Sequence, residues 1–78
     1  MKDDYNSLSK KIGKKIKLER IKRDISQENL ALDAGLDRNT VWKIESGRVS
    51  PTIDSLEKIA KALGIEFAIL MDVSKVDL

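Results

Sequence analysis

At 78 residues the chain is one small domain, with no cysteine for a disulfide or thiolate site and no histidine for general-base catalysis or metal ligation. The longest unbroken apolar run, Phe67 to Met71, is five residues, too short for a membrane span or signal peptide, so the chain is expected to stay in the cytoplasm. Apolar residues at 41% and charged residues of both signs at 36%, with a net charge of +2, favour a folded helical domain over disorder.

Residues 1–6 read as a flexible N-terminus. Leu8, Ile12 and Ile16 then recur at helical spacing behind Ser7, a candidate N-cap, and predict a first helix ending near Lys22. From Lys10 to Arg23 there are eight basic residues and one acid, Glu19. Residues 1–50 hold twelve Lys/Arg against eight Asp/Glu, a balance of +4, and residues 51–78 hold three against five, a balance of −2. A basic half suits a binder of nucleic acid or another anionic surface; it also suits a solvated lysine face. Asp24 breaks this helix, since aspartate tolerates the turn geometry that glycine otherwise supplies. Ser26 caps a second helix with Leu30, Ala31 and Ala34 inward, and Gly35 ends it. Asp37 caps a third with Val41 and Ile44 inward, and Gly47 ends that one. Pro51 and Thr52 open a fourth, with Ile53, Leu56, Ile59, Ala60 and Leu63 inward and Gly64 as the stop. Residues 66–71 read as a short fifth helix, and 72–78 as a frayed tail. No segment alternates long enough to be a strand, so the expected fold is an all-α bundle of five short helices in one domain, residues 7–71.

The window from Gln27 to Glu45 fits a helix-turn-helix. Two helices crossing steeply need a small residue at their contact, Ala31, and a strain-free turn residue, Gly35. Leu30, Ala34, Leu36, Val41 and Ile44 occupy the positions that must face the core. The pattern by itself also permits a helical hairpin that binds no DNA. The outer face of the second helix of the pair gathers Arg38, Asn39, Trp42, Lys43 and Ser46, with no acid among them. In a major groove Arg38 can bond guanine O6 and N7, Asn39 adenine N6 and N7, and Lys43 guanine or a phosphate.

The runs Ile12-Gly13, Ser26 to Ala31, Gly35 to Val41, Ile44 to Gly47 and Pro51 to Gly64 resemble the phage-repressor and Cro type of helix-turn-helix, the XRE family, across residues 8–71. That resemblance implies a five-helix, lambda-repressor-like domain with its helix-turn-helix in helices 2 and 3. It implies a homodimeric transcriptional regulator acting on double-stranded DNA at a palindromic operator. By the same resemblance Arg38, Asn39 and Lys43 read bases; Trp42 on the same face is a further base-contact candidate, packing on a thymine methyl or sugar, with leaning onto the protein surface as the alternative. Gln27 clamps a phosphate, and Thr40, Ser46 and Arg48 lie near the backbone. Arg20 and Glu45 match a structural, partly buried salt bridge. The Leu36-Asp37-Arg38 run is similar to restriction–modification controllers. Four features depart from the family: Asp24 stands for a glycine, Glu19 for an apolar residue, Leu18 and Ile21 for polar ones, and Trp42 for a small one. Such departures suggest a slightly rotated first helix, or a partner on Leu18 and Ile21.

The apolar groups after Gly64 exceed what one short helix can hide. Ile65 and Phe67 are expected to close the core, and Phe67, Ile69, Leu70 and Met71 are the candidates for a twofold contact. An alternative class is an antitoxin-like protein-interaction module with secondary DNA binding. No catalytic cluster, metal site or cofactor is expected, and the chain is not read as an enzyme.

Overall fold

The computed structural model describes residues 2–77, with side chains from residue 7 onward. Five helices succeed one another: α1 (Lys2–Lys22), α2 (Gln27–Ala34), α3 (Arg38–Glu45), α4 (Ile53–Leu63) and α5 (Phe67–Met71). No strand occurs among the described residues. The core takes Ile16 from α1, Leu30, Ala31 and Ala34 from α2, and Val41 and Ile44 from α3. Leu56, Ile59, Ala60 and Leu63 come from α4 and Leu70 from α5. Each fully buried branched side chain contributes about 1.5–3 kcal/mol relative to exposure. α3 packs between α1 and α2, while α4 rests on α2 and α5 closes against α1 and α4.

The turns follow from local chemistry. Leu36 N–H donates to Ala31 O at 2.8 Å across Gly35, whose φ of +68° suits a residue without Cβ. Ile25 N–H makes the same bond to Arg20 O at 3.2 Å across Asp24, at φ +56°. Asp24 therefore does the work of the missing glycine. Ser26 Oγ accepts from Asn29 N–H at 3.0 Å, and Thr52 Oγ1 accepts from Ser55 N–H at 3.0 Å, so both predicted caps form.

Several expectations are corrected. α1 begins at Lys2, so Ser7 lies inside the helix and caps nothing. Asp37 stands at the N-cap of α3 but makes no side-chain capping bond. Ile53, expected inward, is 75% exposed, because it occupies the first position of α4, before the helix reaches the core. Leu70 is wholly buried among the core residues, and Phe67 is 38% exposed rather than interior. Residues 72–77 lie against α1: Lys15 Nζ donates to Ile69 O at 3.0 Å and Asp72 O at 2.9 Å, and Lys14 Nζ donates to Asp77 O. Asp72 accepts from the Ser74 hydroxyl and N–H, which hold its carboxyl below the usual aspartate range.

Ile16 is in the core, Glu19 takes the next buried position, and Leu18 and Ile21 remain exposed. Glu19 is tolerated there because Arg23 Nη1 donates to its Oε1 at 2.8 Å, with Lys22 at 3.5 Å and Lys15 at 3.9 Å from Oε2. The Arg23 hydrogen bond is the main cause that lowers the Glu19 pKa; burial opposes it.

Candidate nucleic-acid interface

Three elements meet at the surface that α3 presents. α1 and α3 cross at Gly13, where a Cβ would lie 2.8 Å from Glu45 O and closer still to Ile44 O. Only glycine lets the two backbones approach this far. The crossing sets Arg20 beside Glu45: Nε donates to Oε2 at 2.7 Å and Nη2 to Oε1 at 3.0 Å, while Nη1 reaches Ile25 O at 2.8 Å. Both side chains are nearly dry, at 12% and 3% exposure. The expected structural salt bridge therefore forms, and it ties α1, the α1–α2 turn and α3 together.

Gln27, the first residue of α2, joins this network by donating from Nε2 to Glu45 Oε1 at 3.0 Å. That contact orients Gln27 while leaving it on the rim of an open concavity shared with Asp37, Arg38, Asn39 and Trp42. The structure thus brings together four predicted residues from two helices. It also adds one that the helix-face reading left out. Asp37 is an acid at the mouth of the site, and its carboxylate, unused as a cap, faces solvent.

The remaining predicted residues spread along α3 and beyond it. Arg38, Asn39 and Lys43 are exposed, and Thr40 is half-buried. Ser46 is exposed at the end of α3, its hydroxyl donating to Lys43 O at 3.1 Å. Trp42 is 42% exposed, and the Arg48 guanidinium sits 4.9 Å above its ring centroid. Such cation–π stacking contributes about 0.5–1 kcal/mol at an exposed site. It gives the large residue a protein partner and still leaves part of the ring open. Neither the Gly13 approach nor the Arg48–Trp42 stack was foreseen, although Gly47 between them marks a turn that returns Arg48 toward α3.

On α5, which packs on α1 and α4, Phe67 and Ile69 (52% exposed) leave an apolar face, while Met71 is half-buried and packs on the core. Among the described residues no group of His, Cys, Asp or Glu is placed to hold a metal ion, and no helix is long and apolar enough to cross a membrane.

The same architecture recurs in known proteins. A family model described as Helix-turn-helix matches residues 16–70. The chain is 37% identical over 68 residues to the control protein C.BamHI of Bacillus amyloliquefaciens, covering 86% of this chain and 84% of that one. It is 36% identical over 64 residues to the cryptic phage CTXphi transcriptional repressor RstR of Vibrio cholerae, covering 82% of this chain but only 58% of RstR. The crystal structure of the restriction-modification controller protein C.AhdI from Aeromonas hydrophila superimposes with a TM-score of 0.78 at 35% identity, covering 80% of this chain and 94% of C.AhdI. With the model spanning more than half its length, the chain belongs to the XRE-type helix-turn-helix family.

Proposed function

We propose that the protein is a transcriptional regulator that binds double-stranded DNA sequence-specifically, acting as a homodimer on a palindromic operator. The observation that carries this is the shared concavity of Arg38, Asn39 and Trp42 with Gln27, whose side chain is bonded into the Arg20–Glu45 pair behind it. A helix so exposed fits the major groove with its N-terminal residues toward base edges. Arg38 and Asn39 supply the bidentate donor and acceptor geometry for guanine and adenine, and Lys43 follows one turn later. Gln27 has a second N–H free for a phosphate, at a helix N-terminus that already favours one. Ser46 and Arg48 flank the other rim. Phe67 and Ile69, with Met71, form the twofold contact. Such a regulator works beside DNA in the cytoplasm and performs no catalysis.

Relatives named as control proteins and as a phage repressor support this reading. The test is selection of bound duplexes from a random library at fixed salt, because affinity depends steeply on salt. The expected result is a palindromic consensus whose half-sites lie about one turn, roughly 34 Å, apart. Retention only at low salt, without enrichment, would overturn sequence-specific recognition and favour a protein-partner role.

A further inference from the structure

We infer that α1 carries a second contact with the DNA backbone through Lys10, Lys14 and Lys17, an inference that rests on the DNA-binding function proposed above. The three recur at i, i+4 and i+7 and so share one face of the helix. With Leu18 and Ile21 they line a groove whose other wall is Glu45 at the end of α3 and Ser46, its C-cap. Both ends of the stripe run into the α3 surface. The Lys10 side chain lies against Gly47, where an added Cβ would come 2.7 Å from its Cγ. Lys17 lines a second small hollow with Gln27, Trp42 and Ser46.

Among the described residues no carboxylate pairs with Lys10, Lys14 or Lys17, whereas Lys15 and Lys22 both turn to Glu19. Glu45 in the groove wall is 3% exposed, and its oxygens are taken by Arg20 and Gln27. Lys14 gives one of an ammonium's three donors to Asp77 O and keeps two. Seven residues of helix rise about 10 Å, the axial span of four consecutive phosphates on one strand at about 3.4 Å per step, so three lysines can each meet one. Lysines are point charges that suit phosphate better than base edges, so the stripe adds affinity without reading sequence. An acidic peptide shares some of this chemistry. Continuity with the groove-facing residues of α3 favours DNA.

The experiment measures log affinity against log salt on the selected operator with a full turn of flanking duplex. Lys10→Ala/Lys14→Ala/Lys17→Ala is expected to reduce the slope by about 2–3, at about 0.9 per phosphate contact. The ratio of operator to scrambled-duplex affinity should hold, and the triple Lys→Arg variant should keep the slope. Single Lys10→Ala and Lys17→Ala variants, each lowering the slope by about 0.9, serve if the triple variant does not fold. An unchanged slope in these variants, with wild-type operator selectivity intact, overturns the second contact and leaves the DNA-binding function standing. Binding of a polyglutamate peptide that depends on these lysines, with an unchanged operator slope, would give the groove to an acidic protein instead. Loss of selectivity in the wild type itself would overturn the parent reading.

Discussion

Glu45 accepts from Arg20 twice and from Gln27 once, so one nearly dry carboxylate links α1, the start of α2 and α3. Removing one partner of such a pair leaves a buried charge uncompensated. Arg20→Ala is therefore expected to cost about 3 kcal/mol and to lower Tm by more than roughly 10 °C in a thermal melt. The paired Arg20→Met, Glu45→Met change should recover much of that loss. Glu19 behaves differently because three cations surround it. Its folded pKa lies below the ordinary glutamate value, so it stabilises the fold at pH above that value and loses the contribution as pH falls from there through the lower folded pKa. Melts between about pH 6 and pH 3 should show a shallower acid loss for Glu19→Gln than for the wild type; equal slopes would deny Glu19 that role. Arg38 stands at the start of α3 with its side chain in solvent. Arg38→Ala should cost about 1–3 kcal/mol of operator binding and relax preference at one base pair. Uniform weakening on all sequences would restrict Arg38 to phosphate.

At the scale of the helices, the α1–α3 crossing decides where the recognition surface points. Alanine is the better helix former by about 1 kcal/mol, so an isolated α1 would gain from Gly13→Ala. Within the fold the new methyl meets the carbonyls of Ile44 and Glu45, which are backbone and cannot swing away. The variant is expected to lose about 1–3 kcal/mol net and to weaken operator binding, as the crossing opens. A melt as high as the wild type's would show that α1 can shift without disturbing α3. Periodicity showed α1 as a helix, and turn chemistry placed all four of the later helix starts within a residue. The true start of α1 was not legible, because Lys2 to Asn6 offer polar residues that suit either a helix or a loose end.

For the molecule as a whole, the surface divides into an α1–α3 side that is basic and groove-shaped and an α5 side that is apolar. A homodimer through α5 would leave two copies of α3 free to face one DNA duplex. Phe67→Asp with Ile69→Asp should give a folded monomer by light scattering, with operator binding reduced at least tenfold; a dimer that persists would move the contact elsewhere, with Leu18 and Ile21 next in line. Leu70→Asp is unsuitable for this test, since it would place a charge in the core. The amino-acid sequence by itself determined the helix count, the turn positions, the inner faces of α2 and α3 and the outward residues of α3. These follow from 3.6-residue periodicity, capping and left-handed turns, all of which act within a few positions along the chain. The tertiary structure alone decided that Leu70 is core while Phe67 and Ile69 are surface, that Gly13 is a close approach, that Asp37 joins the site, and that Lys10 and Lys17 lie beside α3. Each of these depends on which element packs over which across long sequence separations, and a single helix's pattern holds no record of that.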